Sequence, residues 1–430
     1  TRVTIVGARR VGVLDHPGPR TFHTVATPRL GGIGIIAGVS LPMLALLFFP
    51  PFREVFAVNR EPLIGLLIAG VLIIGLGIYD DLFGANAWEK FLFQTMAAAV
   101  LVQFGFVFDK LSLLGFTFDL NGLAWLATIV WIVGIINAVN FIDGMDGLAA
   151  TISLTLAAIF AIISLLEGNF LTLILMVALA GSLAGFLPFN RRPARIFMGD
   201  TGSMFLGLLL ASMTVAGNTK TPASIALAGP MLALALPVLD TMFVIRGRFF
   251  APGLKLGERV FRMFNADRNH FHHRLYAHFG SEAKVVGTLW LLTVLFGVAA
   301  IMTVISSTVV IGKVLAAGTV VLVLVLRMVS AKVAHSEEPP ESISRVEKRW
   351  SNGSMFSFEL APAGSEADRR SSISDVLARD LRSFIMPHGF EPDQGESVAP
   401  YVEESAEREL AVQSETSEAS TTGAEESSSR

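Results

Sequence analysis

The chain has 430 residues, 52% of them hydrophobic and 16% charged. A soluble domain carries roughly 25% charged residues, so this composition points to a membrane protein. Cysteine is absent, which excludes disulfides, thiolate zinc sites and cysteine nucleophiles.

The net charge of −3 averages over two unlike regions. Residues 1–335 are apolar with basic loops and read as one integral membrane domain. Residues 336–430 are rich in Ser, Glu and Pro, and the stretch 401–430 holds eight Glu against two Arg. Such a segment buries too little apolar surface to offset its ordering entropy. A disordered tail is expected, with a short amphipathic helix near 373–385 as its candidate element. No signal peptide is visible, and the start at Thr1 suggests that an N-terminal segment precedes.

A membrane span needs about 20 predominantly apolar residues. Such runs lie near 31–50, 63–79, 91–108, 122–140, 148–166, 169–187, 202–217, 223–245, 285–305 and 308–328. The expected fold is all-α and polytopic, with about ten transmembrane helices and both ends on one side. Segment 1–30 and loops 80–90, 141–147, 188–201 and 246–284 carry seventeen Lys and Arg. The other loops carry only Arg53, Arg60, Lys110 and Lys220. The positive-inside rule assigns the first set, and the tail, to the cytoplasm.

The polar clusters follow in chain order. Asp80 and Asp81 are adjacent carboxylates at the end of the span 63–79; like charges this close raise one pKa unless a cation or donor intervenes. Asn137, Asn140, Asp143 and Asp146 recur every three residues, so on a helix successive pairs would be neighbours. Gly144 and Gly147 open that helix into a loop. In "MGDTGS", Asp200 reads as the N-cap of the next span, whose exposed N–H groups attract anions. Arg191, Arg192 and Arg195 lie just upstream. Asp240 sits inside a span, either paired there or placed behind the site. Last comes "NADRNHFHHRL", residues 265–275, with His270, His272 and His273 between Arg268 and Arg274. Without cysteine this is a weak zinc motif; beside two arginines it suits an anion.

Five carboxylates, two Asn and three His thus fall on one predicted membrane face. Five charges at the bilayer centre would cost well over ~10 kcal/mol on insertion scales; the topology places them at the interface instead. Carboxylates facing cations and helix N-termini, with no thiols, suit Mg²⁺ and phosphates. The membrane setting points to a lipid substrate.

These residues resemble the polyprenyl-phosphate N-acetylhexosamine-1-phosphate transferases, the glycosyltransferase 4 family. The likeness covers roughly residues 9–330. It rests on "DHPGPRTFHTVATPRLGG" (15–32), "YDDLFG" (79–84) with Lys90, "NAVNFIDGMDGLA" (137–149), "FNRRPARIFMGDTGSMFLG" (189–207) and "DRNHFHHRL" (267–275). Such a family usually has eleven spans, so ten here fits a missing first helix. The resemblance implies Mg²⁺-dependent attack of undecaprenyl or another polyprenyl phosphate on a UDP-amino sugar. Mn²⁺ is a second candidate ion. UMP leaves and a lipid-diphospho-sugar forms, beginning a cell-envelope glycan at a bacterial plasma membrane.

Carried over by position, Asp200, Asn140 and Asp81 look like metal ligands. Asp80, Asp81, Asp200 and His270 resemble catalytic positions, and Asp80 in particular the residue that deprotonates or positions the lipid phosphate. A phosphate monoester has a second pKa near 6, so positioning should matter more than proton abstraction. Asn137, Asp143, Asp146, Lys90, Arg29, His272, His273 and Arg274 match substrate-binding positions. One departure is Thr21, where the family usually has Lys after Arg20. That removes a phosphate-binding cation, for which Arg20, Arg29 or Lys90 could substitute. The form His-Phe-His-His-Arg-Leu is similar to the N-acetylglucosamine branch. The muramoyl-pentapeptide branch is the alternative, and a transporter is a distant one. No nucleic-acid partner is expected; a homodimer is compatible with the sequence.

Overall fold

In the computed structural model the described residues are 1–15, 26–108, 110–113, 116–216, 234–249, 271–305 and 310–336. They lie within one unit, Thr1–Pro340. The acidic tail, its candidate helix near 373–385, Thr21 and His270 lie outside them.

Helix α1 (Arg2–Val11) was not expected; of its residues only Ala8 is buried, and Gly12 ends it in the left-handed region. A two-residue strand pair, β1 (Leu14–Asp15) with β2 (Thr27–Pro28), leads into α2 (Gly31–Leu46). The expected span 31–50 does not run straight. Pro50 and Pro51 open α3 (Pro50–Val58), which bends away from α2 by 107°. Proline is tolerated at a helix start but lacks the N–H that would continue α2.

Helix α4 (Arg60–Phe83) is longer than the apolar run predicted, so Asp80 and Asp81 stand in its last turn. Helix α5 (Ala87–Gln103) begins with a capping box: Asn86 accepts from Trp88 and Glu89 N–H, and Glu89 reaches back to the Asn86 N–H. The reciprocal bonds fix the helix start and so place Lys90 in the first turn. After the hairpin β3 (Lys110–Leu113) and β4 (Phe116–Asp119) come α6 (Ala124–Ile142), α7 (Leu148–Leu166), α8 (Phe170–Asn190) and α9 (Gly199–Ala216). Described parts of the remainder are α10 (Ala235–Phe249), α11 (Phe271–Phe279), α12 (Glu282–Ile305) and α13 (Val310–Ser336).

Helix α9 is the centre of the bundle. Every residue from Thr201 to Val215 is buried, among α2, α4 and α6. Glycines let the backbones meet. A Cβ at Gly77 of α4 would lie 2.4 Å from Thr201 Cα, and one at Gly32 of α2 would lie 2.3 Å from the Gly202 nitrogen. No side chain larger than hydrogen fits either place.

This is a multi-pass membrane protein. Among the described residues six helices are long and apolar enough to cross a bilayer, seven if α2 and α3 form one span. Three of the ten runs stand outside that count: 91–108, 223–245 and 308–328. α5 has 17 residues, about 26 Å at 1.5 Å per residue. The run 223–245 is described only from Leu234 on.

One carboxylate sits at the far end of α7 from the site. Glu167, in the α7–α8 turn, has a buried Oε1 without a hydrogen-bond partner. Burial pushes its carboxyl up to about 7. A folded pKa above the unfolded one means the folded state holds the extra proton, so this group costs stability as pH rises from about 4.5 through 7. Glu167→Gln should therefore raise the melting temperature of the detergent-solubilised protein by a few degrees at pH 8. At pH 4.5 it should change little. An equal shift at both pH values would rule the ionisation account out.

Candidate active site

The site forms where five helix ends meet: the starts of α2, α5 and α9 and the ends of α4 and α6. Met198 and Phe197 carbonyls accept the N–H groups of Gly32 and Gly31 at 2.8 and 2.9 Å, and Phe197 N–H reaches Pro28 O at 2.8 Å. This docks the segment before α9 onto the start of α2. Gly199, at φ 69°, then turns the chain into α9.

Asp200 was expected to cap α9. The structure corrects this: Asp81 does so from α4. Its Oδ1 accepts Asp200 N–H at 2.9 Å; its Oδ2 accepts Thr201 N–H at 3.1 Å and Thr201 Oγ1–H at 2.6 Å. A helix start leaves unpaired N–H groups that an anion satisfies well, and a carboxylate 119 residues away supplies it here. Asp81 is thereby fixed by three donors, with its oxygens largely engaged.

The Asp200 side chain is freed to face the other way. It pairs with Lys90, whose Nζ also lies 2.6 Å from Asp80 Oδ2. Asp80 Oδ1 is held by Ala85 N–H at 2.5 Å. Asn140 donates to Ser203 Oγ at 2.9 Å and faces the Asp200 carboxylate. Thus Asp80 and Asp200 converge on one cationic position, with Asn140 beside it.

Asp143 stands half-buried in the α6–α7 turn. Loss of water, then the charges of Asp200 and Asp81, push its carboxyl up to about 8, against the pull of Arg29. Asp146 Oδ2 holds Ala194 N–H at 2.9 Å. Beside it a cavity of about 340 Å³ is lined by Arg191, Arg192, Glu282 and Trp290 among others. His272 is buried, its ring lies 4.3 Å from that of His273 and tilted to it by 38°, and it stands beside Gly144. The helix bearing His272, His273 and Arg274 therefore meets the Asp143 loop. Arg29 is more peripheral, with a side chain 40% exposed and 3.7 Å from Asp15.

Asn137 is placed differently from its neighbours. Its amide hydrogens go to Gln94 Oε1 at 2.6 Å and Val133 O at 2.8 Å, leaving only its carbonyl for a ligand. Gln94, Thr201 and Ser203 were not singled out in the sequence. Gln94 had a signal: it follows Lys90 by four residues, one helical turn, on the same face.

Asp80, Asp200 and Asn140 offer hard oxygens and no sulfur, as Mg²⁺ prefers. Lys90 lies where the two carboxylates converge, so the residues fit a cation there. Among the described residues no three His, Asp or Glu side chains already form a metal cage.

The glycosyl transferase family 4 model matches residues 63–218, the segment that builds most of this cluster. A probable undecaprenyl-phosphate N-acetylglucosaminyl 1-phosphate transferase of Bacillus subtilis is 32% identical over 296 residues, covering 68% of this chain and 78% of its own. A decaprenyl-phosphate N-acetylglucosaminephosphotransferase of Mycobacterium leprae is 33% identical, covering 68% and 77%. A phospho-N-acetylmuramoyl-pentapeptide-transferase of Heliobacterium modesticaldum is 33% identical, covering 64% and 82%. The chain belongs to glycosyl transferase family 4. Membership sets the transporter reading aside.

Proposed function

We propose that the protein transfers N-acetylglucosamine 1-phosphate from UDP-GlcNAc to a polyprenyl phosphate at the cytoplasmic face of a bacterial plasma membrane, with UMP as the other product. The observation that carries this is the convergence of Asp80 and Asp200 on Lys90, beside Asn140, at the start of the central helix of a family 4 chain. Support for the sugar comes from the two N-acetylglucosamine-type relatives, which match a larger share of this chain than the muramoyl-pentapeptide relative.

The reaction joins two anions, so bringing them together is the main barrier. A divalent cation bound at Asp200 and Asn140, with Asp80 in the place expected of Asp81, whose oxygens are taken by the start of α9, would supply charge neutralisation to the diphosphate. Lys90, fixed by the α5 capping box, adds a cation that stays charged. Asp81 holds the start of α9, and hence Asp200, at a fixed place. Asp80 is held by Ala85 N–H and is set to orient the incoming lipid phosphate; that phosphate is mostly ionised already, so orientation is its main task. Asp143 and Asp146 face the nucleotide side. His272, His273 and Arg274, on one short helix, face the sugar phosphate.

Purified protein should be given UDP-GlcNAc and UDP-MurNAc-pentapeptide side by side, with undecaprenyl phosphate and Mg²⁺. UMP should appear with the first donor and depend on both lipid and metal. Release from the second donor alone would move the protein to the muramoyl branch; release from neither would refute the proposal.

A further inference from the structure

Asp240 of α10 is 7% exposed. Its Oδ1 accepts the N–H of Phe271 at 2.8 Å, and Phe271 is the first residue of α11. The same oxygen lies 3.7 Å from Arg327 Nη1. Arg327 belongs to α13, the last described helix, and its guanidinium stands 4.4 Å from the centroid of the Phe243 ring, one turn beyond Asp240 on α10. α13 also packs along α11. Arg274 of α11, a like charge, also acts on Arg327.

So the short helix bearing His272, His273 and Arg274 begins on a buried carboxylate, and a cation from α13, Arg327, stands beside that carboxylate. A helix N-terminus offers only about half a positive charge. A buried carboxylate robbed of its partner is strongly destabilising locally. We infer that Arg327 is a positioning residue: it fixes Asp240 under the first N–H of α11 and so sets where His272, His273 and Arg274 stand against the Asp143–Gly144 turn. Neither Asp240 nor Arg327 falls in the stretch matched by the family model, 63–218. The kinetic half of this inference rests on the function proposed above; the structural half does not.

The full chain in detergent tests it with Arg327→Gln, Arg327→Lys and the double variant Asp240→Asn/Arg327→Gln. Two readouts are used: hydrogen exchange of the 271–279 amides, and steady-state transfer from UDP-GlcNAc. Arg327→Gln should speed exchange across 271–279 by at least about tenfold and raise the donor KM, with Arg327→Lys between it and wild type. Simple loss of folded enzyme would lower kcat alone. The double variant should regain slow exchange and a near-normal donor KM, because Asn keeps an acceptor for Phe271 N–H and leaves no charge uncompensated. Wild-type exchange and KM in Arg327→Gln would overturn the inference. A double variant no better than Arg327→Gln would do so too, since Arg327 would then act through packing on Phe243. If wild type itself transfers nothing, the proposed function fails while the exchange measurements still judge the positioning.

Discussion

Asp200→Asn should reduce UMP release by at least about a hundredfold, the loss typical of removing one preorganised electrostatic contact, while the protein still inserts and folds. Asn is nearly isosteric and can still accept from Lys90 and face Asn140, so packing at the start of α9 is kept. What it lacks is charge. Lys90 would then be balanced by Asp80 alone, and the oxygen pair that converges on the cationic position would lose half its negative charge. The same change relieves repulsion, since Asp143 is pushed up partly by the charge of Asp200. Against this, Asn loses the ion pair with Lys90, so the melting temperature should fall by only a few degrees while activity falls at least about a hundredfold. Turnover at the wild-type rate in Asp200→Asn would refute its role; lost turnover with a collapsed melting temperature would show only that the variant misfolds.

Much of this site was legible because polar residues are costly next to apolar spans. Asp80, Asp81, Asp143, Asp146 and Asp200 stood out for that reason, and the helices put Asp80, Asp81, Asp143 and Asp200 together. The Asp-Asp pair was readable as a unit, but the division of labour inside it was not. Asp81 points to the backbone of α9 and Asp80 to Lys90, and only the crossing of α4 with α9 decides which does which. Local rules gave the cap to Asp200, the nearest carboxylate in sequence. A partner 119 residues away won because α4 and α9 meet through Gly77 and Thr201. Asn137 shows the same limit. Its spacing matched that of Asn140, yet Gln94 and Val133 take its amide hydrogens and leave only its carbonyl for a ligand.

The bent first span had a signal that was passed over. Pro50-Pro51 after Phe48-Phe49 is a poor place to continue a helix and a good place to start one. Asp240 is the opposite case. Sequence showed an acid inside an apolar run and could not name its partner, since Arg327 lies 87 positions on and no periodicity connects them.

Gly199→Ala is the second change expected to be severe, and Gly168→Ala is its control. Both glycines have φ 69°, where an L side chain is strained. Each alanine should cost about 1–2 kcal/mol on backbone grounds alone. Their surroundings differ. A Cβ at Gly168 meets nothing within 4 Å, whereas one at Gly199 falls 2.5 and 2.6 Å from the Asp81 oxygens and 2.7 Å from Arg29 O. Overpacking of this kind adds about 1–3 kcal/mol, and the atoms in the way are the cap of α9 itself. Asp81 would have to leave the Asp200 and Thr201 N–H groups, or the 197–199 segment would have to lift from α2. Either movement carries Asp200 away from Lys90 and Asn140. Gly168→Ala should lose a few degrees of melting temperature and keep its turnover. Gly199→Ala should lose more stability and nearly all transfer, and Asp81→Asn should share its loss of transfer, because Asn cannot accept three donors on two carboxylate oxygens. Equal activity in the two alanine variants would show that the close fit around Asp81 does not hold the site.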